Sequence, residues 1–143
     1  MSAEDMVTLQ ERMVHLVEQL GMPLIEVSLV IGRWTNGLSQ ELHKVYSEQG
    51  LEIPDFLSTK WHIEESIAHS GNEFSLEKAL SVVDDDRIDI LDTLIEATLA
   101  ELELNLQDAL IVLRGWEQLV RQALTTTSSA GQLFSPLEIP EDF

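Results

Sequence analysis

The feature that most constrains this chain is that it resembles itself. Sliding the sequence by 82 positions lays Leu9 on Leu91, Leu20 on Leu102, Leu24 on Leu106 and Val30 on Val112. The same shift lays Trp34 on Trp116, Gln40 on Gln122 and Leu42 on Leu124. Met6/Ile88, Met13/Ile95, Val17/Leu99, Glu26/Asp108, Leu29/Ile111 and Ile31/Leu113 agree in type. Each matched stretch carries apolar residues at helical spacing on either side of a short break, so each reads as two helices joined by a tight corner. The expectation is an internally duplicated helical hairpin.

In the first copy the stripe Met6, Leu9, Met13, Leu16, Leu20 ends at Gly21, and Pro23 opens a second helix. That helix carries Leu24, Val27, Ile31, Trp34, Leu38, Leu42 and Val45 on one side. Gly32 and Gly37 lower its helix propensity by about 1 kcal/mol each. In the second copy, Asp84 to Asp86 cap a long helix and a corner near Asn105 leads into the last one. Between the copies lies an acidic insert. Ser58 or Thr59 is placed to cap a third helix reaching about Ser70, and Ser75 to cap a fourth from Leu76 to Val83.

Nothing alternates cleanly enough to propose a sheet. The expected fold is all-α, a helical bundle of two similar hairpins with two short helices inserted between them. Residues 1–126 form one domain, with hairpins at 6–46 and 87–126 around an insert at 49–86, and residues 127–143 form a mobile acidic tail.

Charge limits the partners. There are 26 Asp plus Glu against 8 Lys plus Arg, a net charge of −18. Such a surface repels phosphate backbones and anionic membranes, which argues against direct nucleic-acid binding and against membrane docking. It favours basic partners, divalent metals, or imitation of nucleic acid. A hydrophobic content of 44% fits a packed soluble domain. With no cysteines, disulfides and thiol chemistry are excluded. The acidic N-terminus has no secretory pattern and no apolar run is long enough to span a bilayer, so the expected location is the cytoplasm.

Two constellations suggest metal. His62, Glu65 and His69 fall on one face of the expected third helix and offer a set suited to iron, zinc or manganese. Asp85, Asp89, Asp92 and Glu96 form a carboxylate ladder of the kind that holds Mg or Mn against phosphates. Helical hairpins bearing such acids resemble the all-α nucleotide pyrophosphohydrolases of the MazG type. That resemblance implies a metal-dependent hydrolase completed by Glu64 and Glu65. In this chain Ala68 stands where that family carries a further glutamate, and Asp86 and Asp89 stand where it carries Glu.

Two further features suggest a protein partner. Trp34 and Trp116 occupy matching places, either as core or as a paired aromatic surface. Phe134, Leu137, Ile139 and Phe143 are apolar anchors in a proline-containing acidic tail, a composition that docks into grooves. The ending IPEDF resembles the acidic, Phe-terminated tails of bacterial and phage single-stranded DNA-binding proteins, which recruit partners. The resulting expectation is a non-catalytic acidic interaction protein: an adaptor, inhibitor or small assembly subunit, with a nucleic-acid mimic as its extreme form. Its partner is basic or groove-bearing, and stripes this wide suit a homodimer as well as a monomer core. The alternative is the metal-dependent pyrophosphohydrolase.

Overall fold

The computed structural model describes residues 2–63, 81–127 and 130–143. They are mostly helical, with no strand among them. Four long helices carry the fold: α1 (Ser2–Leu20), α2 (Leu24–Glu48), α4 (Asp85–Leu102) and α5 (Leu106–Thr125). Two single-turn helices, α3 (Asp55–Ser58) and α6 (Ala130–Leu133), accompany them.

The corners explain why the long helices stop where they do. After α1, Gly21 takes a left-handed φ of 58°. Its N–H reaches the Glu18 carbonyl and the Met22 N–H reaches the Val17 carbonyl. After α4, Glu103 does the same at φ 52°, with its N–H directed to Ala100 and that of Leu104 to Leu99. Both are Schellman endings, in which a left-handed residue turns two otherwise unpaired amides back onto the last carbonyls. Helix α5 then starts on Asn105, whose side chain accepts from the Asp108 N–H at 2.8 Å. Helix α2 starts after Pro23, which contributes no side-chain cap. At the first corner glycine takes the left-handed φ without cost, whereas at the second a β-carbon is strained.

The closest packing is between helices that are not neighbours in sequence. Helix α2 lies along α5, α1 lies along α4, and contacts of α1 with α5 and of α2 with α4 close the bundle. The faces they bury are the stripes read in the sequence. Leu9, Met13 and Val17 from α1 meet a core that includes Leu91 and Ile95 of α4, Val27, Val30 and Ile31 of α2, and Leu110, Leu113 and Trp116 of α5. Each such side chain, fully withdrawn from water, contributes about 1.5–3 kcal/mol.

One polar tie is sunk into this core. Glu26, only 1% exposed, accepts Nε and NH2 of Arg87 at 2.7 Å each, and its Oε2 also accepts the Asp84 N–H at 3.0 Å. Asp84 is itself the cap of α4, so a single carboxylate fixes the start of α2 against the start of α4. The Glu26 carboxylate also raises the Arg87 pKa further above its ordinary value, chiefly through these hydrogen bonds and then by attraction.

The insert departs from expectation. Ser58 closes α3 instead of opening a helix, and the Thr59 hydroxyl donates back to the Asp55 carbonyl at 2.7 Å. Residues 59–63 are non-helical. The remainder of the expected third helix and most of the fourth fall outside the described residues.

The tail, expected to be free, lies against its own bundle. The Leu24 N–H donates to the Ser135 carbonyl and the Leu137 N–H to the Met22 carbonyl, at 3.1 and 2.9 Å, around an isolated antiparallel bridge of Pro23 and Pro136. Leu133 packs with Ile25, and Leu137 joins the main core. The physical reason is the first corner, which leaves one N–H and one carbonyl unpaired beside an apolar surface that the tail can cover.

Two outcomes are expected from chemical denaturation. Arg87→Ala strands the buried Glu26 charge and costs on the order of 3 kcal/mol, whereas Glu26→Leu combined with Arg87→Met recovers most of that loss. Glu103→Gly removes a strained left-handed residue and stabilises by about 1 kcal/mol, while Gly21→Ala destabilises by a similar amount.

Candidate functional site

A concave surface lies on α2 around Trp34. It is an open cleft of about 480 Å³, lined by Arg33, Trp34, Gly37, Leu38, Glu41 and Asp92 together with Gln40. Trp34 is half-buried, and its indole N–H donates to the Asp92 Oδ1 at 2.7 Å, which fixes the ring between α2 and α4. Gly37 is exposed, and a β-carbon added to it would meet nothing within 4 Å. Its missing side chain leaves that part of the cleft open.

The face of α5 that the 82-residue shift aligns with it is narrower and partly covered. Trp116 is fully buried, and its ring meets Phe143 edge-to-face, with centroids 4.9 Å apart and an interplanar angle of 89°. Phe143 lines a smaller cleft of about 220 Å³ together with Gly115, Gln118, Leu119 and Gln122, and the Trp61 ring approaches Gly115. The 82-residue shift places Gly115, Leu119 and Gln122 on Arg33, Gly37 and Gln40 of the open cleft. The Trp116 N–H has no hydrogen-bond partner among the described residues. Such a group costs about 1–3 kcal/mol, which the aromatic pair with Phe143 offsets by about 0.5–1.5 kcal/mol. The two tryptophans therefore differ in role despite their matching positions: Trp116 is core and Trp34 is half-open to solvent.

The tail anchors divide in the same way. Leu137 is buried, Ile139 and Phe143 are half-buried against the bundle, and Phe134 remains exposed. Only Phe134 faces solvent as the free-tail expectation requires; the others are engaged in cis.

Among the described residues the carboxylate ladder does not assemble into a metal site. Among the described residues no group of three or more His, Asp or Glu side chains could hold a metal ion. His62 is exposed and non-helical, with its carbonyl taken by Gln118 Nε2, so the helical spacing that joined it to Glu65 and His69 fails at its first member. Glu65 and His69 lie outside the described residues. Asp85, Asp89 and Glu96 do share the solvent side of α4, but Asp92, the third rung, is turned to Trp34. The ladder thus borders the Trp34 cleft.

Sequence reasoning missed how the few basic residues are used. Arg87 is bound to Glu26. Arg114, only 5% exposed, donates to the Leu57 carbonyl and pairs with buried Glu117 at 2.8 Å. Arg12 pairs with Glu101 and holds its carboxyl below the usual range, first by hydrogen bonding and then by attraction. Arg121 donates to the Trp61 carbonyl. Arg114 and Arg121 hang the 55–63 segment across α5. The mismatch of Gly37 with Leu119 and of Arg33 with Gly115 was the available signal for the cleft.

No protein-family model, curated protein or solved structure matches the chain. No helix among the described residues is long and apolar enough to cross a membrane.

Phe143→Ala is expected to uncover Trp116: its fluorescence emission shifts to the red, and stability falls by about 1 kcal/mol or somewhat more as the aromatic pair is lost.

Proposed function

We propose that this protein is a non-catalytic, acidic interaction protein, an adaptor, inhibitor or small assembly subunit, whose partner presents a basic surface. The observation that carries this reading is the distribution of charge. The chain has only eight basic residues against 26 acids, and Arg12, Arg87, Arg114 and Arg121 are committed to internal bonds. Each of Arg12, Arg87 and Arg114 is matched by a carboxylate, so the net charge of −18 is left for the remaining groups and sets the sign of the outward field. A field of that sign attracts cationic protein surfaces and raises their rate of encounter.

The reading includes the architecture. The two helix–corner–helix segments are copies of one ancestral unit. Supporting this are the helix ends at Leu20 and Leu102, the left-handed residues at 21 and 103, and the helix starts at Leu24 and Leu106. After duplication the copies diverged: one took the tail over its tryptophan, and the other kept an open surface.

The test is capture of partners from the source lysate by the full-length protein at about 0.1 M and about 1 M salt, where the Debye length falls from about 10 Å to about 3 Å. A partner held at low salt and released at high salt is the expected result. A partner held equally at both removes charge as the basis of binding, and failure to capture any partner at low salt defeats the reading.

A further inference from the structure

The protein contains its own example of how an aromatic side chain sits on this kind of helix face. On α5, the ring of Phe143 meets Trp116 edge-on and borders a cleft that Gly115, Leu119 and Gln122 also line. On α2, the positions related by the 82-residue shift are Arg33, Gly37, Gln40 and Trp34, and there the space is open. Two differences set the chemistry. Gly37 stands where Leu119 stands, which leaves more room. Asp92 also approaches the cleft from α4, with Asp89 and Glu96 three and four residues away on the same helix face, and Glu41 lines it from α2. Arg33 is the one cation among the lining residues.

We propose that the Trp34 cleft is a docking site for a single aromatic side chain carried on a lysine- or arginine-bearing segment of a protein partner. The aromatic ring enters beside the indole of Trp34 and over Gly37, as Phe143 does beside Trp116. The flanking cations of the partner face Asp89, Glu96, Glu41 and the free oxygen of Asp92. The indole is already held by its bond to Asp92, so little side-chain ordering accompanies binding. An acidic aromatic segment, such as this chain's own C-terminal residues, is disfavoured here because it would meet the α4 carboxylates. The proposal rests on the interaction reading and gives it an address.

The test uses three short synthetic peptides: one with a phenylalanine among lysines, one with alanine in its place, and one with the phenylalanine among glutamates. Affinity is followed by Trp fluorescence and calorimetry on the full-length protein. The lysine–phenylalanine peptide is expected to bind at least about tenfold more tightly than either other peptide. Gly37→Leu, which builds into the cleft the side chain that α5 carries at position 119, is expected to abolish that preference without lowering the melting temperature, since it replaces an exposed helical glycine with a better helix former. Asp92→Asn, which keeps an acceptor for Trp34, is expected to weaken binding and reduce its salt dependence. If the phenylalanine and alanine peptides bind alike, if the glutamate peptide binds as well as the lysine one, or if Gly37→Leu binds normally, the proposal is overturned. A salt-released partner from lysate that Gly37→Leu still captures would overturn this site while leaving the acidic interaction reading standing.

Discussion

Helix α5 is the support on which the rest of the molecule hangs, because it is buried on more of its circumference than any other element. Its stripe from Ala109 to Val120 packs along α2 to make the central seam. Its polar positions also face inward. Arg114 reaches the Leu57 carbonyl and Arg121 the Trp61 carbonyl, so the irregular segment after α3 is fastened by guanidinium groups satisfying main-chain oxygens. Charge-assisted bonds of this kind give a loop a definite path where it has little apolar surface to bury. Trp116, on the same helix, receives the end of the tail.

A chain so short of cations uses several of them to tie its own segments together. The buried Glu26–Arg87 and Arg114–Glu117 pairs each join segments distant in sequence or anchor one to a loop, and each would be costly to break from one side only. Burying acid–base pairs adds little net stability over apolar residues of the same shape. Its effect here is on arrangement: a bundle made of similar stripes could pair its helices in more than one way, and a carboxylate that needs its guanidinium selects among them.

How much of this was legible in the sequence depended on the range of the interaction. The four long helices and both corners were readable because their causes are local: stripes at helical spacing, Gly21, and Asn105 before Leu106. The short helix α3 was misplaced because Ser58 and Thr59 look like caps, whereas Pro54 and Asp55 start the turn earlier and the Thr59 hydroxyl is consumed by Asp55. The folded-back tail could not be read, since its causes lie over a hundred residues upstream, in the unpaired groups of Met22 and Leu24. Helical spacing aligned the carboxylate ladder, but it could not show that Asp92 accepts the Trp34 indole N–H from another helix.

The bridge between tail and corner has a consequence for how the protein behaves in a crowded solution. Extended segments that pair by backbone hydrogen bonds ordinarily leave an outer row of donors and acceptors, an invitation for a third strand. Here both bridge residues are prolines, Pro23 and Pro136, and neither has an N–H to offer. The pairing consists of the two bonds that flank them and cannot be lengthened through the prolines. The same contact that closes the tail onto the bundle thus terminates its own growth, so the only extended pairing among the described residues is a poor template for edge-to-edge association.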